Sequence, residues 1–519
     1  MTIKKIFLQL LFCIVMITTY AQTLTVPQLI NKIENSVFTV YAEDEKGNIF
    51  SQGSGFVIGS NGVCITNFHV LENASSGYAQ NKNGEKFKIS KIIDYDADCD
   101  LVKFQIENTT NRQFYALPVS MTIPQKGEDI VSLSTPMGFE QTVSTGIVSS
   151  IRETQLYGTT IQITAPISSG SSGSPILNKK GEVLGVSTFG YEGGQNLNFA
   201  VSVLNFSKIN QTKNLHLIDI TRNPLETPNI RKVRTAILEG NYDMAFELAK
   251  SEYDKNKKNH LVLSLIANIY LETKDYESAI DAILEAIDIE PENASYFNIC
   301  GLALAHKGYA EFKTNNDETS FKYALQSYGK AIALENSPIY YYNRGHLIFE
   351  LFFTFKLLNT SSLYDAMNDF NTCLQLNPYY EAAYVRRAEV KQNLSDYWGA
   401  IADCDKAIGI NPYYYRSYLI RGDTKGYFLK DQQSGIKDLD VALSLVNTKK
   451  EKADALGLKA TQEYNWANKI IREKKSEDFD LAAFLLSDAK ANYREAYNLS
   501  GDKVYLDRLN QVGITMPTK

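Results

Sequence analysis

A serine, a histidine and an aspartate in the first 206 residues have the types and surroundings that nucleophilic catalysis needs. Ser172 lies in the string GSSGSP (residues 170–175), where small residues allow backbone N–H groups to point at a developing oxyanion. His69 lies in TNFHV (66–70), and no other histidine precedes residue 216. Asp100 begins an apolar run, and a buried aspartate can orient a histidine and stabilise its cation. Taken alone, the serine string would equally fit a glycine-rich hairpin turn.

These three candidates must be positioned by β-structure. From about residue 30 to residue 206, short apolar runs alternate with Gly, Asn, Asp and Ser. Such runs, rich in Val, Ile, Thr and Phe and separated by turn signals, predict an all-β sandwich or barrel. The segment is long enough for two small barrels packed together.

A different period begins at about residue 230, after prolines at 224 and 228 that mark a linker. Small residues and prolines then recur 34 residues apart, at Ala267 and Gly301, at Ala388 and Gly422, and at Pro378 and Pro412. Small side chains let two helices approach closely, and each proline ends a second helix. The spacing closely resembles the tetratricopeptide repeat, a helix–turn–helix unit.

Two of these repeats are stretched, because Gly301 and Gly345 are 44 residues apart and Gly345 and Ala388 are 43 apart. The extra residues fall around 311–320 and 351–364, where they form longer helices or longer turns. We expect about six to seven helical hairpins over residues 230–500. Tyrosines recur where one repeat meets the next, at 340–342, 379–380 and 413–415. We favour inter-repeat packing over an aromatic lining for a bound peptide as their role.

The N-terminus and the composition indicate an exported protein. Lys4 and Lys5 precede an apolar run over residues 6–17, with small residues at 19 and 21, which predicts a signal peptide over residues 1–21. A membrane anchor is the alternative, but the run is shorter than the roughly 20 residues that a spanning helix needs. We therefore expect a periplasmic or extracellular protein without membrane attachment after cleavage. The net charge of −6 excludes a nucleic-acid footprint.

The cysteines do not form a recognisable framework. Five remain after the predicted cleavage, and they are scattered and odd in number, which favours buried free thiols. A bond between Cys64 and Cys99 stays open. With neither a CxxC pair nor an HExxH string, the sequence supports no metal site, and it implies no organic cofactor.

Three further strings accompany the candidate residues in a fixed order. GSGF (53–56) precedes the His69 strand, TVSTGIVS (142–149) precedes the serine loop, and GEVLG (181–185) follows it. Together with the order His, Asp, Ser, these strings resemble the trypsin-like serine peptidases, and most closely their HtrA/Deg branch. The resemblance covers about residues 30–206 and implies a chymotrypsin-like all-β double barrel, followed here by an all-α repeat solenoid.

The resemblance also implies a role for each site residue. Ser172 would be the nucleophile, His69 the general base and then the general acid, and Asp100 the residue that orients His69. The backbone N–H groups of Gly170 and Ser172 would form the oxyanion hole. The remaining implied residues bind substrate: Thr188, Phe189 and Gly190 would pair with its backbone as an extra strand, and Ile167 would help to floor the primary specificity pocket. With no aspartate at that pocket, we expect a small or medium apolar residue before the cut.

The sequence departs from the family pattern in several places. Ser174 replaces a glycine two residues after the nucleophile, and serines at 168 and 169 replace the usual Asn-Pro. Ser171 and Ser174 are rival hydroxyls, so that only the family register selects Ser172. No PDZ module follows the peptidase, and the helical repeats take its place.

The predicted organisation is a signal peptide over 1–21, a peptidase domain over 22–215, a linker over 216–229, a solenoid over 230–500 and a C-terminal tail over 501–519. It predicts a secreted serine endopeptidase whose repeats recruit protein substrates or partner proteins. One alternative is an interaction scaffold with an inactive or zymogen-like peptidase domain. Another is an all-β binding module, whose three candidate residues would lie more than about 7 Å apart, beyond hydrogen-bond reach. The oligomeric state is left open.

Overall fold

The two periodicities of the sequence correspond to two structural units, with the boundary between Arg231 and Lys232. The computed structural model describes residues 24–108, 112–135, 141–154, 158–168, 170–190, 198–209, 212–221, 223, 225–446, 448–473 and 479–514. The predicted signal peptide and Pro224 of the predicted linker lie outside the described residues. Within the ranges given, no helix is long and apolar enough to cross a membrane.

The first unit folds into two closed six-stranded antiparallel barrels, which confirms the predicted double-barrel fold. The first barrel has the strand order β1-β2-β3-β6-β5-β4, and its strands are β1 (Val37–Glu43), β2 (Ile49–Gly59), β3 (Val63–Thr66), β4 (Ser76–Gln80), β5 (Lys86–Asp96) and β6 (Leu101–Ile106). The second barrel has the order β10-β11-β12-β9-β8-β7, and its strands are β7 (Asp129–Ser134), β8 (Thr142–Thr154), β9 (Gly158–Ile163), β10 (Pro175–Leu177), β11 (Val183–Gly190) and β12 (Asn198–Ser202).

Among its described residues, three buried apolar clusters hold this unit together. One fills the first barrel around Phe38 and Phe104, and another fills the second around Ile161 and Ile176. The third combines residues of both barrels, such as Phe56 of β2 and Val186 of β11. Because side chains alternate between the two faces of a strand, β2 and β11 can place some side chains in a barrel interior and others in this shared cluster. The two barrels are therefore packed on each other through a common core.

The segment after the second barrel returns to the first one. Leu215 pairs with Ile92 of β5, and Leu217 and Ile220 are buried in the core of the first barrel. The residues predicted as the start of a linker at 216 thus belong to the barrel. They lack the alternating pattern of a strand, which is why their apolar side chains gave no signal in the sequence.

The second unit is a succession of antiparallel helices, as the repeat spacing predicts. Their bounds are α3 (Pro228–Glu239), α4 (Tyr242–Lys255), α5 (His260–Glu272), α6 (Tyr276–Ile289), α7 (Ala294–Asn315), α8 (Thr319–Leu334), α9 (Pro338–Phe353), α10 (Ser362–Leu376), α11 (Glu381–Asn393), α12 (Tyr397–Ile410), α13 (Tyr415–Asp423), α14 (Gln432–Leu445), α15 (Lys449–Glu473), α16 (Phe479–Ser500) and α17 (Lys503–Ile514). Two short helices, α1 (Val26–Ile33) and α2 (Phe68–Leu71), belong to the first unit. Asparagine and aspartate side chains accept a backbone N–H at several N-termini, such as Asn259 and Asp275.

Small residues lie where two helices of one hairpin touch. A Cβ atom added to Gly301 of α7 would lie 2.7 Å from the ring of Tyr328 of α8, a distance that real contacts do not show. Tyrosines of the repeat junctions pack between repeats: the rings of Tyr342 and Tyr380 lie 4.8 Å apart within one apolar cluster, and Tyr340 is buried.

The two stretched repeats use their extra residues differently. In the first, α7 is lengthened to 22 residues. In the second, the extra residues form a loop between α9 and α10, and its Phe355 stacks on Tyr309 of the lengthened helix at 5.6 Å. The two insertions therefore pack against each other and bury their own apolar surface.

The predicted C-terminal tail contains the helix α17, which packs on the last hairpin. Val512 of this helix is buried in a cluster with Leu486 and Tyr493 of α16. A terminal helix of this kind covers the apolar face that the last repeat of a stack would otherwise expose.

Candidate active site

Two neighbouring strands of the first barrel bring His69 and Asp100 together. Thr66, at the end of β3, pairs with Val102 of β6, so that the residue after β3 and the residue before β6 meet at one edge of the barrel. His69 lies there on the short helix α2. Its Nδ1 atom lies 2.8 Å from Oδ2 and 3.0 Å from Oδ1 of Asp100, and its backbone N–H donates to Oδ1 at 3.0 Å. The carboxylate thus holds both the ring and the main chain of the histidine.

Asp100 is itself held in an unusual conformation. Its φ is +54°, in the left-handed region that aspartate enters more readily than most residues. Asn67 Nδ2 donates to its backbone carbonyl at 2.9 Å, and the Phe68 N–H donates to the same oxygen at 3.2 Å. Because the segment that carries His69 makes these bonds, the orientations of the two side chains are coupled.

Thr188 is a site residue whose hydroxyl the sequence reasoning missed. Its Oγ1 donates to Asp100 Oδ2 at 2.5 Å, although the two residues are 88 apart in the chain. The side chain is almost completely buried. The sequence suggested Thr188 only for its backbone, and a lone threonine in an apolar strand carries no signal for a hydrogen bond to a distant carboxylate.

Asp100 changes the acidity of His69. Burial lowers the pKa of His69 because it disfavours the charged ring, but the charge and the hydrogen bond of Asp100 raise it, and the resulting pKa lies above the ordinary value of 6.5. The side chain of His69 remains 35 % exposed, so that solvent and a ligand can reach it. A histidine of this kind is a stronger base than a free one.

The structure distinguishes the three serines of the nucleophile loop. Ser171 and Ser174 are buried, and their hydroxyls are used within the protein: Ser171 Oγ accepts from the Ser168 N–H at 3.3 Å, and Ser174 Oγ donates to Ser171 O at 2.7 Å. Ser172 is half-buried. Its hydroxyl donates to the backbone carbonyl of Thr188 at 3.0 Å. Of these three serines, Ser172 is therefore the one that a substrate can reach.

His69, Asp100 and Ser172 are thus linked through one residue, since Thr188 donates to Asp100 and accepts from Ser172. Across the described parts of the chain, no hydrogen bond joins Ser172 to His69 in this conformation. In ligand-free sites such a bond is often long or misaligned and forms only when a substrate is bound.

The backbone N–H groups of the loop fall into two sets. Those of Ser171, Gly173 and Ser174 donate to the carbonyls of Ser168, Ser187 and Ser171 at 2.9, 2.8 and 3.0 Å. Those of Gly170 and Ser172 donate to no oxygen of the described residues. Among the described residues, the two N–H groups predicted to form an oxyanion hole thus have no acceptor.

Glycines of the family strings are required by close contacts. Gly173 has a φ of +87°, and an added Cβ atom would lie 2.0 Å from the carbonyl oxygen of Ser54. At Gly53 an added Cβ would lie 2.6 Å from a methyl group of Val70 and 2.9 Å from the carbonyl of Ser172. Any side chain at these positions would push the nucleophile loop away from the first barrel.

The predicted substrate-binding residues flank this loop. Residues 188–190 end strand β11, which pairs with β12 on one side and with β10 only as far as Val186 on the other. The second side of residues 188–190 therefore has no partner strand among the described residues. Ile167 is half-buried and packs on the core of the second barrel.

Cysteine chemistry and metal chemistry have no support in the described residues. Cys64 and Cys99, whose bond the sequence left open, are buried in two different apolar clusters and form no disulfide bond, and burial raises the pKa of Cys64. In the ranges that the structure covers, no group of three or more His, Cys, Asp or Glu side chains could hold a metal ion.

Comparisons with known proteins agree with both units. Residues 53–186 match the family model of the trypsin-like peptidase domain, and residues 262–293 match that of the tetratricopeptide repeat. The sequence-based recognition of both is thereby confirmed.

Among related proteins, the zebrafish (Danio rerio) serine protease HTRA1A is 32% identical over 31% of this chain and 34% of its own. A Chlamydia muridarum protein named "Probable periplasmic serine endoprotease DegP-like" is 33% identical over 26% of this chain and 28% of its own. A solved structure, the serine endoprotease from Yersinia pestis, aligns at 25% identity over 36% of this chain and 65% of that one, with a TM-score of 0.32. The chain spans about a third of the length of the curated relatives that it matches.

Proposed function

We propose that this protein, which carries a trypsin-like peptidase domain and a tetratricopeptide repeat, is a secreted serine endopeptidase whose repeats recruit protein substrates or partners. The observation that carries the proposal is the His69–Asp100 pair, linked through Thr188 to the accessible Ser172. The 2.8 Å contact between the ring and the carboxylate also argues against a binding module without chemistry.

In the proposed reaction, Ser172 Oγ first turns from Thr188 O to His69 Nε2. It then attacks the carbonyl carbon of the scissile peptide and gives its proton to His69, whose cation Asp100 stabilises. The Gly170 and Ser172 N–H groups donate to the oxyanion. His69 passes the proton to the leaving amine, which leaves an acyl group on Ser172. A water molecule, deprotonated by His69, then attacks the acyl carbon, and His69 returns the proton to Ser172 Oγ as the acyl group leaves as a carboxylic acid, which ionises.

A substrate would bind as an added strand on residues 188–190 of β11. Main-chain hydrogen bonds to a free strand edge give affinity that does not depend on sequence, and pockets for alternate side chains give specificity. Ile167 and the apolar core behind it favour a small or medium apolar side chain before the cut.

The test is labelling of the purified protein with a fluorophosphonate, which reacts only with an activated serine. We expect the wild type and Ser171→Ala to be labelled and Ser172→Ala not to be. Ser171→Ala is the matched control, because it removes the neighbouring hydroxyl of the same loop. Labelling that persists in Ser172→Ala would refute the assignment of the nucleophile.

The alternative is a scaffold with an inactive or zymogen-like peptidase domain, and one observation favours it. The Ser172 hydroxyl is bonded to Thr188 O instead of to His69. A well-folded wild type that no fluorophosphonate labels would support this alternative and would make the repeats the main function.

The proposed surface for recruitment lies at a charge-balanced, mostly buried cluster of the repeats, of which Arg416 is the most exposed member. On their first helices, Arg416 lies 2.7 Å from Glu389, and Arg386 lies 2.9 Å from Glu389 and 3.4 Å from Glu350. Two guanidinium groups thus face two carboxylates, so that we expect recognition by hydrogen bonds and not by net charge. Arg416→Gln should lower the rate of cleavage of a protein substrate while fluorophosphonate labelling is unchanged. Equal protein cleavage would contradict recruitment through this surface.

Export is proposed from the predicted signal peptide over residues 1–21 and from the periplasmic name of the Chlamydia relative. Mass spectrometry of the mature N-terminus after expression in a Gram-negative host should find Gln22 first. An intact N-terminus in a membrane fraction would support the anchor instead.

A further inference from the structure

Ser54, in the GSGF string of strand β2, contacts the nucleophile loop with both its main chain and its side chain. Its backbone N–H donates to Ser172 O at 2.7 Å, and its hydroxyl lies 2.8 Å from Gly170 O. The residue is completely buried. It therefore reaches from the first barrel to the two residues whose N–H groups form the proposed oxyanion hole.

The partners of the Ser54 hydroxyl determine where its proton lies. The Thr135 N–H, at 3.0 Å, can only donate, and Gly170 O can only accept. Ser54 Oγ must therefore accept from Thr135 and give its single proton to Gly170 O. The Thr135 hydroxyl, at 3.1 Å, is then a second donor to Ser54. The hydroxyl is fully satisfied, and its orientation is unambiguous.

This bond restrains the Gly170 carbonyl oxygen, and on the other side of the same peptide unit the Ser171 N–H donates to Ser168 O at 2.9 Å. No other donor of the described residues reaches the Gly170 oxygen. Gly170 has a φ of +89°, a conformation that only glycine adopts freely. Because glycine adopts negative φ values as readily, the backbone of Gly170 does not hold this conformation by itself. Without the bond from Ser54, the peptide unit after Gly170 would be held on one side only, and the direction of the Gly170 N–H would be less well fixed.

We propose that Ser54 is a positioning residue for the oxyanion hole: its hydroxyl holds Gly170 so that the Gly170 N–H points at the reacting carbonyl. The inference rests on the proposed function. It assigns to the GSGF string, besides its place in strand β2, the role of supporting the nucleophile loop. Ser54 touches neither the substrate nor His69 and acts only through the loop.

The test compares Ser54→Ala with Ser36→Ala. Ser36 is an equally buried serine of the same unit, and its hydroxyl also donates to a carbonyl, that of Tyr115, at 2.6 Å. In Ser54→Ala the backbone bond to Ser172 remains, whereas the anchor on Gly170 and the acceptor of the Thr135 N–H are lost. Removal of one oxyanion donor slows related reactions by about 100- to 1000-fold, and a misdirected donor should cost less. We expect fluorophosphonate labelling to be about 10- to 100-fold slower in Ser54→Ala and unchanged in Ser36→Ala.

The pH profile separates positioning from a general structural defect. Ser54 has no contact with His69 or Asp100, so that the acid limb of the labelling rate should keep its midpoint in Ser54→Ala. If Ser54→Ala does not fold, Ser54→Cys replaces it, because a thiol keeps the shape but donates weakly. Labelling of the chosen variant within about twofold of Ser36→Ala, or a shifted acid limb, would overturn the inference.

A structural readout keeps the inference independent of activity. The readout is NMR of protein that carries carbonyl-¹³C serine and ¹⁵N glycine. This isotope pattern selects the glycine amides of the six Ser–Gly pairs of the chain, which include those of Gly170 and Gly173. We expect the Gly170 amide resonance to move and broaden in Ser54→Ala, and the Gly435 resonance of the helical unit to stay. An unmoved Gly170 resonance refutes the role of Ser54. A wild type that does not react with the fluorophosphonate refutes only the proposed activity.

Discussion

Replacement of Asp100 by asparagine tests how the carboxylate controls His69. The asparagine oxygen must take the Oδ1 position, because the His69 backbone N–H at 3.0 Å can only donate, whereas the Thr188 hydroxyl can reverse its role. The amide NH₂ then faces His69 Nδ1, 2.8 Å away, and donates to it. This bond holds the ring proton on Nε2, where it blocks acceptance of the proton of Ser172.

The expected loss has two parts. A hydrogen bond from the cationic ring to a charged group contributes about 1.5–3 kcal/mol, which corresponds to roughly 10- to 150-fold in rate. The wrong tautomer adds to this, and for the same substitution in the serine-protease triad the combined effect is about 10⁴-fold. We therefore expect Asp100→Asn to be labelled by a fluorophosphonate about 10³- to 10⁴-fold more slowly than the wild type.

The direction in which the pH dependence of labelling shifts distinguishes this account from a damaged fold. In the wild type the pKa of His69 is raised, so that the neutral base is lost as the pH falls through a value above 6.5. In Asp100→Asn the influence of the carboxylate is gone and burial, which lowers the pKa, remains. The residual acid limb should therefore move to lower pH.

The assay is the second-order labelling rate between pH 5 and pH 9, with Asp96→Asn as the control. Asp96 lies in the same loop, and its Oδ1 accepts from the Cys99 N–H at 2.7 Å, which an asparagine oxygen can also do. Labelling of Asp100→Asn within about tenfold of the wild type, or an acid limb that moves to higher pH, would refute this account of the site.

Three further substitutions test other parts of the molecule. Thr188→Val removes the donor to Asp100 and should slow labelling by about 10- to 100-fold at unchanged fold, as circular dichroism can verify. Gly173→Ala should destabilise the peptidase unit by about 3 kcal/mol or more in denaturant unfolding, because of its φ and its contact with a carbonyl; a wild-type midpoint would contradict this. Arg387→Ala breaks a two-pronged pair with the buried Asp403, which keeps a lysine partner, and should destabilise the helical unit by about 2 kcal/mol without slowing fluorophosphonate labelling.

The parts of the site that the sequence could predict are those encoded locally. His69 and Asp100 each stand next to an apolar strand, and the pairing of β3 with β6 is sufficient to bring them together. The glycines beside Ser172 are required by the conformation of a single loop. Each of these features depends on a few consecutive residues, and for that reason short strings of sequence carry it.

The parts that could not be predicted are hydrogen bonds between distant segments. The bond from Ser54 to Gly170 spans 116 residues, and that from Thr188 to Asp100 spans 88. Serine and threonine in a strand are compatible with many environments, so that their type alone does not reveal a partner. The same holds for Ile220, whose burial depends on the return of the chain to the first barrel.

The helical unit contains one long-range feature that the sequence does encode. In three hairpins an arginine directly precedes the small residue of the first helix, and an aspartate follows the small residue of the second helix by three positions. Each arginine makes a two-pronged ion pair with the aspartate of its own hairpin, with closest contacts of 2.6 Å: Arg344 with Asp369, Arg387 with Asp403, and Arg421 with Asp438.

Because the arginine fork fits a carboxylate in one geometry, such a pair sets the register of the two helices that it joins. The hairpin of Arg344 contains the inserted loop between α9 and α10, and its pair has the same 2.6 Å contact as the pairs of the hairpins without an insertion. A turn can therefore lengthen in this unit without a change in how its helices pack, since the register is set across the hairpin and not by the length of its turn.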